Sequence, residues 1–147
     1  DNENETQEDE SISGTWKLTS YTFENSYDFN KDGISSNDFM LETTCFDNVI
    51  INLNDDGSGE EIATTQLEFT FPSPNEYTMN CLSSTIIDDS IIWNQDEDIL
   101  TVQGSIQGFI ATIDGDTFSF TRNANQLVQA LFGATHTDNE TLIYTKQ

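Results

Sequence analysis

The sequence predicts an all-β protein, an up-and-down antiparallel β-barrel of about eight strands (a lipocalin-like topology) with two short helices. Short segments of alternating apolar and polar residues recur along the chain, and turn-forming residues separate them. No segment has the strand and helix alternation of a parallel sheet. Two Trp, four Tyr and ten Phe residues, with many Ile, Leu and Val, can fill one core in 147 residues.

The first strand is preceded by a polar leader. Residues 1–12 are almost all polar or acidic, and we expect them to be a disordered acidic leader before one domain at residues 13–147. Within the following segment, Trp16 and Leu18, and less cleanly Ser20, fall on one face, and Tyr21 falls on the other. This period of two predicts a strand.

An oxygen-rich loop runs from Asp28 to Asp38 after this strand. Its first half, Asp-Phe-Asn-Lys-Asp-Gly, places side-chain oxygens at every second position before a glycine, as calcium-binding loops do. The complete motif requires a Glu at position 12, which is Phe39 here. The first half of the motif is therefore present and the second half is not.

Two interpretations of this loop stay open. An eleven-residue variant can bind calcium as a structural cofactor, with these ligands: Asp28, Asn30, Asp32, the Ile34 carbonyl and Asp38. The alternative is an Asx-rich surface turn, because Asn, Asp and Gly populate turns without a metal. A bound ion would pin a long connection. It would not make a sensor, because sensor EF-hands work in pairs between long helices.

The remaining elements follow from periodicity and turn residues. Residues 35–44 permit a short helical turn capped by Ser36 or Asn37. Residues 123–132 have helical spacing, with Gly133 as a stop. The state of residues 86–89 stays open. Further strands are predicted at residues 48–53, 61–71, 76–81, 90–94, 99–103, 108–113, 117–122 and 141–145.

The charge of the chain excludes some partners. Four Lys and Arg residues stand against 27 Asp and Glu residues, for a formal net charge of −23. A nucleic-acid interface needs a basic surface to neutralise phosphates, so we expect no nucleic-acid partner. Docking on anionic lipid through a basic patch is disfavoured for the same reason. Carboxylates at this density attract divalent cations.

The two cysteines, Cys45 and Cys81, fit either one disulfide or two buried thiols. Neither lies in a Cys-x-x-Cys pair, which disfavours zinc and thioredoxin-type redox chemistry. Calcium-type ligands load reliably outside the cytosol, where calcium is abundant. Together the two features favour an exported protein with a Cys45–Cys81 bridge.

Gly14-Thr15-Trp16 on the first strand of a meander resembles the Gly-x-Trp signature of lipocalins. The ordered set of this strand, the Asp-x-Asn-x-Asp-Gly loop and a Cys before the next strand is similar to the lipocalin-like domains of Bacteroidetes exported lipoproteins. The similarity covers residues 13–147. It implies a barrel in the periplasm or on the surface of a Gram-negative bacterium, of unassigned function, with a lipid anchor upstream of residue 1.

This resemblance also implies structural roles for two side chains. The Trp16 ring would plug one end of the barrel, and Arg122, the one arginine of the chain, would stack on it in a cation–π contact. The alternative for Arg122 is a surface salt bridge.

The sequence favours a binding module over an enzyme. It holds one histidine, His136, and neither a Gly-x-Ser-x-Gly elbow nor a glycine-rich phosphate loop, so we expect no catalysis and a monomer. A small hydrophobic ligand in the barrel would contact alternating aromatic residues, which otherwise fill the core: Tyr21, Phe69, Phe71, Trp93, Phe109, Phe118 and Phe120. The alternative is a closed surface domain whose loops contact a protein or a glycan.

Overall fold

The computed structural model describes residues 11–74, 76–83, 86–105 and 108–147. It confirms the predicted fold class, because eight antiparallel strands close into a barrel and two short helices accompany them. The strands are β1 (Gly14–Tyr27), β2 (Ser36–Asp38), β3 (Val49–Leu53), β4 (Ser58–Ala63), β5 (Gln66–Ser73), β6 (Glu76–Leu82), β7 (Ile87–Asp96), β8 (Ile99–Gly104), β9 (Gly108–Asp114), β10 (Thr117–Asn123) and β11 (Asn139–Lys146). The helices are α1 (Phe39–Glu42) and α2 (Asn125–Phe132).

The barrel is an up-and-down meander with one insertion. Its strand order is β1, β3, β4, β7, β8, β9, β10 and β11, and β11 pairs back onto β1 to close the ring. Trp16 lies opposite Lys146 at one end of this seam, and Phe23 lies opposite Glu140 at the other. The β5–β6 hairpin, inserted between β4 and β7, forms a separate two-stranded sheet.

A register shift in β1 changes which side chains face the core. The pairing of β1 with β11 is offset between Leu18 and Ser20. Such an irregularity inserts an extra residue and reverses the alternation beyond it. Tyr21 and Phe23 are therefore buried with Trp16. The sequence had placed Ser20 on the face of Trp16 and Tyr21 on the opposite face, and this expectation was wrong.

The segment predicted as one strand at residues 61–71 is two strands of different sheets. β4 ends at Ala63 in the barrel, and β5 begins at Gln66 in the hairpin. Thr65 lies at the corner, where its Oγ1 donates a hydrogen bond of 2.5 Å to the carbonyl oxygen of Cys45. Only the second half alternates clearly in polarity, and no Gly or Pro separates the two halves, so the sequence pattern could not locate this corner. Residues 87–89, left undecided from the sequence, belong to β7.

Trp16 is buried at one end of the barrel, where β1 pairs with the end of β11. Its ring is fully buried and packs at 5.0 Å, between ring centroids, against Phe118. The indole Nε1 donates a 2.8 Å hydrogen bond to the carbonyl oxygen of Ile12, which is itself buried. Ile12 was assigned to the leader from the sequence, but it covers Trp16 and so belongs to the domain. The rest of the predicted leader, except Ser11, lies outside the described residues.

An aromatic cluster lies beyond the other end of β1. The rings of Phe29 and Phe39 are 4.4 Å apart, and Phe132 of α2 stacks on Tyr27 at 4.8 Å. α1 begins after Asp38, whose Oδ1 accepts a hydrogen bond from the Met40 backbone N–H. The N-cap of α1 is therefore Asp38. The prediction of Ser36 or Asn37 as the cap was wrong. Within the described ranges, no helix is long and apolar enough to cross a membrane.

Candidate ligand-binding site

A cavity of about 190 Å³ lies inside the barrel, between its strands and the β5–β6 hairpin. Buried side chains on the inner face, such as Leu18 of β1, Val49 of β3 and Leu142 of β11, make most of its wall apolar. Leu67 of β5 and Phe46 complete the apolar wall on the hairpin side. The cavity is thus a half-open space between the barrel and the hairpin, lined mostly by core side chains and bordered by exposed Gln66.

A fixed polar cluster borders this cavity. Tyr21 donates its hydroxyl proton to Glu140 Oε2 at 2.8 Å, and Arg122 Nε donates to the same oxygen at 2.5 Å. Tyr21 and Arg122 line the cavity, and Glu140 lies behind them with 5% of its surface exposed. The register explains the grouping, because Glu140 of β11 pairs with Arg122 of β10 on one side and Phe23 of β1 on the other.

The protonation states of this cluster follow from burial and charge. Burial raises the pKa of the Tyr21 hydroxyl well above its usual range, and the Glu140 carboxylate adds to the shift. Burial alone would lower the pKa of Arg122, but the Glu140 carboxylate outweighs this effect and the pKa lies above its ordinary value. Burial also raises the pKa of Tyr144, and the charge of Glu61 adds to it. The cavity therefore presents neutral phenols beside a permanent guanidinium.

Three of the seven aromatic residues predicted to contact a ligand fill the core instead, and one lines the cavity. Tyr21 lines the cavity. Phe118 stacks on Tyr144 at 4.9 Å, and Phe109 stacks on Phe120 at 4.2 Å. These stacked pairs occupy the barrel interior, which is why the free space lies elsewhere.

The other three predicted ligand residues lie away from the cavity, Trp93 on barrel strand β7 and Phe69 and Phe71 on the hairpin. The Trp93 indole Nε1 donates to the Ser58 carbonyl oxygen at 2.9 Å. Phe69 packs at 5.7 Å against Tyr77 within the hairpin. Phe71, also on the hairpin, is 50% exposed. Sequence alternation alone could not reveal these positions, because it does not show that β5 leaves the barrel.

Arg122 was missed as a cavity residue because it was assigned to Trp16. The cation that lies over the Trp16 ring is Lys146, 5.8 Å from the centroid. Arg122 instead pairs with Glu140 and lies over Phe120 at 5.6 Å. The register gives the reason, because Lys146 and Glu140 are six residues apart on β11, roughly 20 Å of strand. Arg122 follows Phe118 and Phe120 at every second position of β10, and this spacing in the sequence could have indicated that Arg122 faces inward.

The Asp28 loop uses its side-chain oxygens to bind its own backbone. Asp28 accepts hydrogen bonds from the N–H groups of Asp32 at 3.0 Å and Gly33 at 2.9 Å. Asn30 Oδ1 accepts from Asp32 N–H at 3.1 Å, and Asp32 Oδ1 accepts from Ile34 N–H at 2.8 Å. The Asn30 and Asp32 hydrogen bonds, each to the N–H two residues on, are Asx turns, which form without a metal.

The structure gives a separate role to the predicted closing ligand of the calcium loop. Asp38 caps α1 through Met40 and so belongs to the helix. In the part of the chain that the structure describes, no group of three or more His, Cys, Asp or Glu side chains is placed to hold a metal ion. Calcium binding by Asp28, Asn30 and Asp32 stays a prediction.

The loop holds the β5–β6 hairpin. Tyr77 of β6 donates its hydroxyl proton to the Phe29 carbonyl oxygen at 2.8 Å. Lys31 Nζ donates to the Tyr77 carbonyl oxygen at 2.7 Å and lies 3.9 Å from the centre of the Tyr77 ring. Burial, together with the charge of Asp28, raises the pKa of Tyr77 to about 12. The hydroxyl therefore stays a donor.

A disulfide joins Cys45 and Cys81, which confirms the predicted bridge. Their Cα atoms are 5.4 Å apart. Cys45 follows α1, and Cys81 lies on β6 directly opposite Leu67 of β5. The bridge thus ties the hairpin to the chain segment that contains Phe46, and both Phe46 and Leu67 line the cavity.

His136 lies away from this cavity. Its ring is 6.2 Å from Phe132 and 6.4 Å from Tyr27, between centroids. It borders an open surface groove of about 590 Å³, shared with Asp28 and several hydroxyl side chains.

Comparisons of the chain with protein families, with curated proteins and with solved structures found no match.

Proposed function

We propose that this protein is a binding module whose barrel holds one small, mostly apolar ligand. The observation that carries the proposal is the half-open 190 Å³ cavity between the barrel and the hairpin, with apolar walls and a polar cluster at one side. A cavity of about 150 Å³ holds one benzene ring, whereas pockets for larger ligands span about 300–1,000 Å³. The ligand therefore has one ring or a short chain.

The polar cluster defines the second feature of the ligand. Arg122 carries several N–H donors on a guanidinium that stays charged, and Tyr21 stays a neutral phenol. Because Tyr21 gives its own proton to Glu140, a ligand hydroxyl can donate to the Tyr21 phenol oxygen, and the apolar walls take up the rest. A hydrocarbon without an oxygen would make no hydrogen bond to this cluster and should bind more weakly.

The setting we propose is that of an exported lipocalin-like domain tethered by an upstream lipid anchor. The Cys45–Cys81 disulfide supports export, because such bonds persist in oxidising compartments. The Gly14-x-Trp16 start of the barrel supports the lipocalin-like assignment. The loop at Asp28 is proposed to bind calcium in this setting, where it would pin the hairpin.

One observation favours a second candidate, a surface that contacts another macromolecule. Ile92 of β7 is 60% exposed and Ile110 of β9 is 67% exposed. Both lie on the outer face, on either side of β8. Exposed apolar side chains on one face are typical of interaction sites. In this case the barrel interior would bind nothing.

Protein-detected NMR titration separates the two candidates, with benzyl alcohol and toluene as probes. Both probes have one ring, and only benzyl alcohol has a hydroxyl. We expect shift changes at the cavity residues and tighter binding of benzyl alcohol. Ala63, which lines the cavity, is changed to Leu to fill it, and exposed Ala130 on α2 is changed to Leu as the matched control.

We expect Ala63→Leu to weaken probe binding at least about tenfold, the change that corresponds to 1.4 kcal/mol, and Ala130→Leu to leave it unchanged. The proposal would be overturned by equal binding to wild type and Ala63→Leu, provided that both give the same folded spectrum. Shift changes confined to the face around Ile92 and Ile110 would instead support the interaction surface.

A further inference from the structure

One wall of the cavity is formed by the β5–β6 hairpin, which lies outside the barrel. Thr65, Gln66 and Leu67 line the cavity from the start of the hairpin, and apart from Phe46 the other lining residues belong to barrel strands. Over the described ranges, β5 and β6 pair with each other and form no ladder with a barrel strand. The hairpin can therefore move without breaking the hydrogen bonds that close the barrel.

Covalent and polar contacts hold the hairpin at both of its ends. At its base, the disulfide joins Cys81 to Cys45, and Thr65 donates to the Cys45 carbonyl oxygen. Near its turn, Tyr77 donates to the carbonyl oxygen of Phe29 and accepts from Lys31. The base lies over the cavity, so the disulfide is the contact that fixes the wall of the cavity.

The two cysteines differ in exposure. Cys45 is buried, with 1% of its surface exposed, and Cys81 is exposed. A thiolate in solution can therefore reach the Cys81 sulfur. Without the bridge, the base of the hairpin keeps the Thr65 hydrogen bond and the packing of Leu67, while buried Tyr77 still holds the end near the turn. We therefore expect opening to be local and to begin at the base.

We propose that the β5–β6 hairpin is a lid over the cavity and that reduction of the Cys45–Cys81 disulfide by a dithiol opens it. The inference rests on the proposed ligand-binding function. One thiolate of the dithiol attacks Cys81, and Cys45 leaves as a thiolate that takes up a proton. The second thiol of the reductant then displaces Cys81, so both cysteines end as thiols and the reductant ends as a disulfide.

The test compares the oxidised protein with the same protein reduced by dithiothreitol. The dissociation rate of benzyl alcohol is measured by NMR exchange, and amide hydrogen exchange is measured without probe. Reduction should raise the dissociation rate about tenfold and speed amide exchange in β5 and β6, with β8, β9 and β10 unchanged. The variant Cys45→Ala/Cys81→Ser should show the same changes, and dithiothreitol should have no effect on it.

The outcomes separate the lid from the proposed function. Probe binding with an unchanged dissociation rate after reduction overturns the lid alone. Faster amide exchange throughout the barrel and the hairpin together also overturns it, because the bridge would then stabilise the whole fold. A protein that binds neither probe in either redox state overturns the proposed function, and the lid with it.

Discussion

Asp138, just before β11, uses both carboxylate oxygens to hold the end of β1. It accepts hydrogen bonds from the backbone N–H groups of Glu24 at 2.9 Å and Asn25 at 3.2 Å, and from the Tyr27 hydroxyl at 2.7 Å. Burial opposes ionisation of Asp138, but these hydrogen bonds and one from Asn139 outweigh it, so its pKa lies below the ordinary value. Nothing in the sequence distinguishes this carboxylate from the others.

We expect Asp138→Asn to lower the free energy of unfolding by about 1–3 kcal/mol near neutral pH, because an amide N–H₂ would face backbone donors. A lowered pKa in the folded state stabilises the protein above the pKa of the unfolded chain, about 3.9, and this stabilisation is lost as pH falls below it. Urea unfolding should therefore show the difference from wild type shrinking below about pH 4.

Exposed Asp55 offers the matched control for this comparison. Asp55→Asn should change stability by less than about 0.5 kcal/mol at any of these pH values. An Asp138→Asn protein as stable as this control at neutral pH would contradict the role given to Asp138.

The Arg122–Glu140 pair should contribute to stability as well as to binding. Arg122→Met leaves the buried Glu140 carboxylate without its charged donor, and we expect a loss of about 1.5–3 kcal/mol in urea unfolding. The low end of this range is expected, because 38% of the Arg122 side chain is exposed. Lys17→Met on β1 is the control for loss of a cation. Equal losses in both variants would argue against the pair.

The identity of inward residues was partly predictable. The spacing of Trp16 and Leu18 predicted their burial, and the structure agrees. The register shift after Leu18 was not predictable, because it depends on pairing with β11, which is more than a hundred residues away in the chain. The role of Arg122 was missed for the same reason, since its partner Glu140 comes from β11.

At the level of elements, α2 is the helix on which the aromatic end of the molecule depends. Val128 is its fully buried residue, and Phe132 packs on Tyr27 and Phe29. Val128→Ala removes two buried carbons and should lower the free energy of unfolding by about 1.5–3 kcal/mol. Gln126→Ala, on the exposed side of the same helix, should be close to neutral or slightly stabilising. Similar losses for the two would contradict the packing.

The Asp28 loop gives a second prediction for an element. If it binds calcium as weakly as extracellular modules do, with a Kd of about 10⁻⁴–10⁻³ M, then 10 mM calcium should stabilise the protein by about 1.4–2.7 kcal/mol. Thermal unfolding with calcium and with a chelator measures this, and Asp32→Ala should abolish the shift. An unchanged midpoint in wild type would leave the loop as an Asx-rich turn.

The elements that could be predicted were those with local signals. The strands from β6 to β11 and helix α2 lie within a few residues of their predicted bounds, because each has its own periodicity and turn. The corner at Thr65 was missed because it is set by contacts with Cys45, twenty positions away in the chain. The hairpin and hence the candidate lid could not be foreseen from the sequence.

For the molecule as a whole, the closed barrel follows from the number of strands and from the pairing of β1 with β11. Aromatic side chains fill the ends of this barrel, through Trp16 and Phe118 at one end and Phe29 and Phe39 at the other, and of these four Phe118 was expected to contact a ligand. The remaining space lies between them, where shorter side chains meet the hairpin. Its position depends on packing, which the sequence pattern does not report.

The most direct test of the central claim is to measure intermolecular nuclear Overhauser effects between benzyl alcohol and the methyl groups of the protein. Binding inside the barrel predicts contacts from the probe ring to Val49, Leu67 and Leu142, which line the cavity. Contacts to Ile92 and Ile110 on the outer face, with none to the cavity residues, would contradict the claim and make the outer face the functional surface.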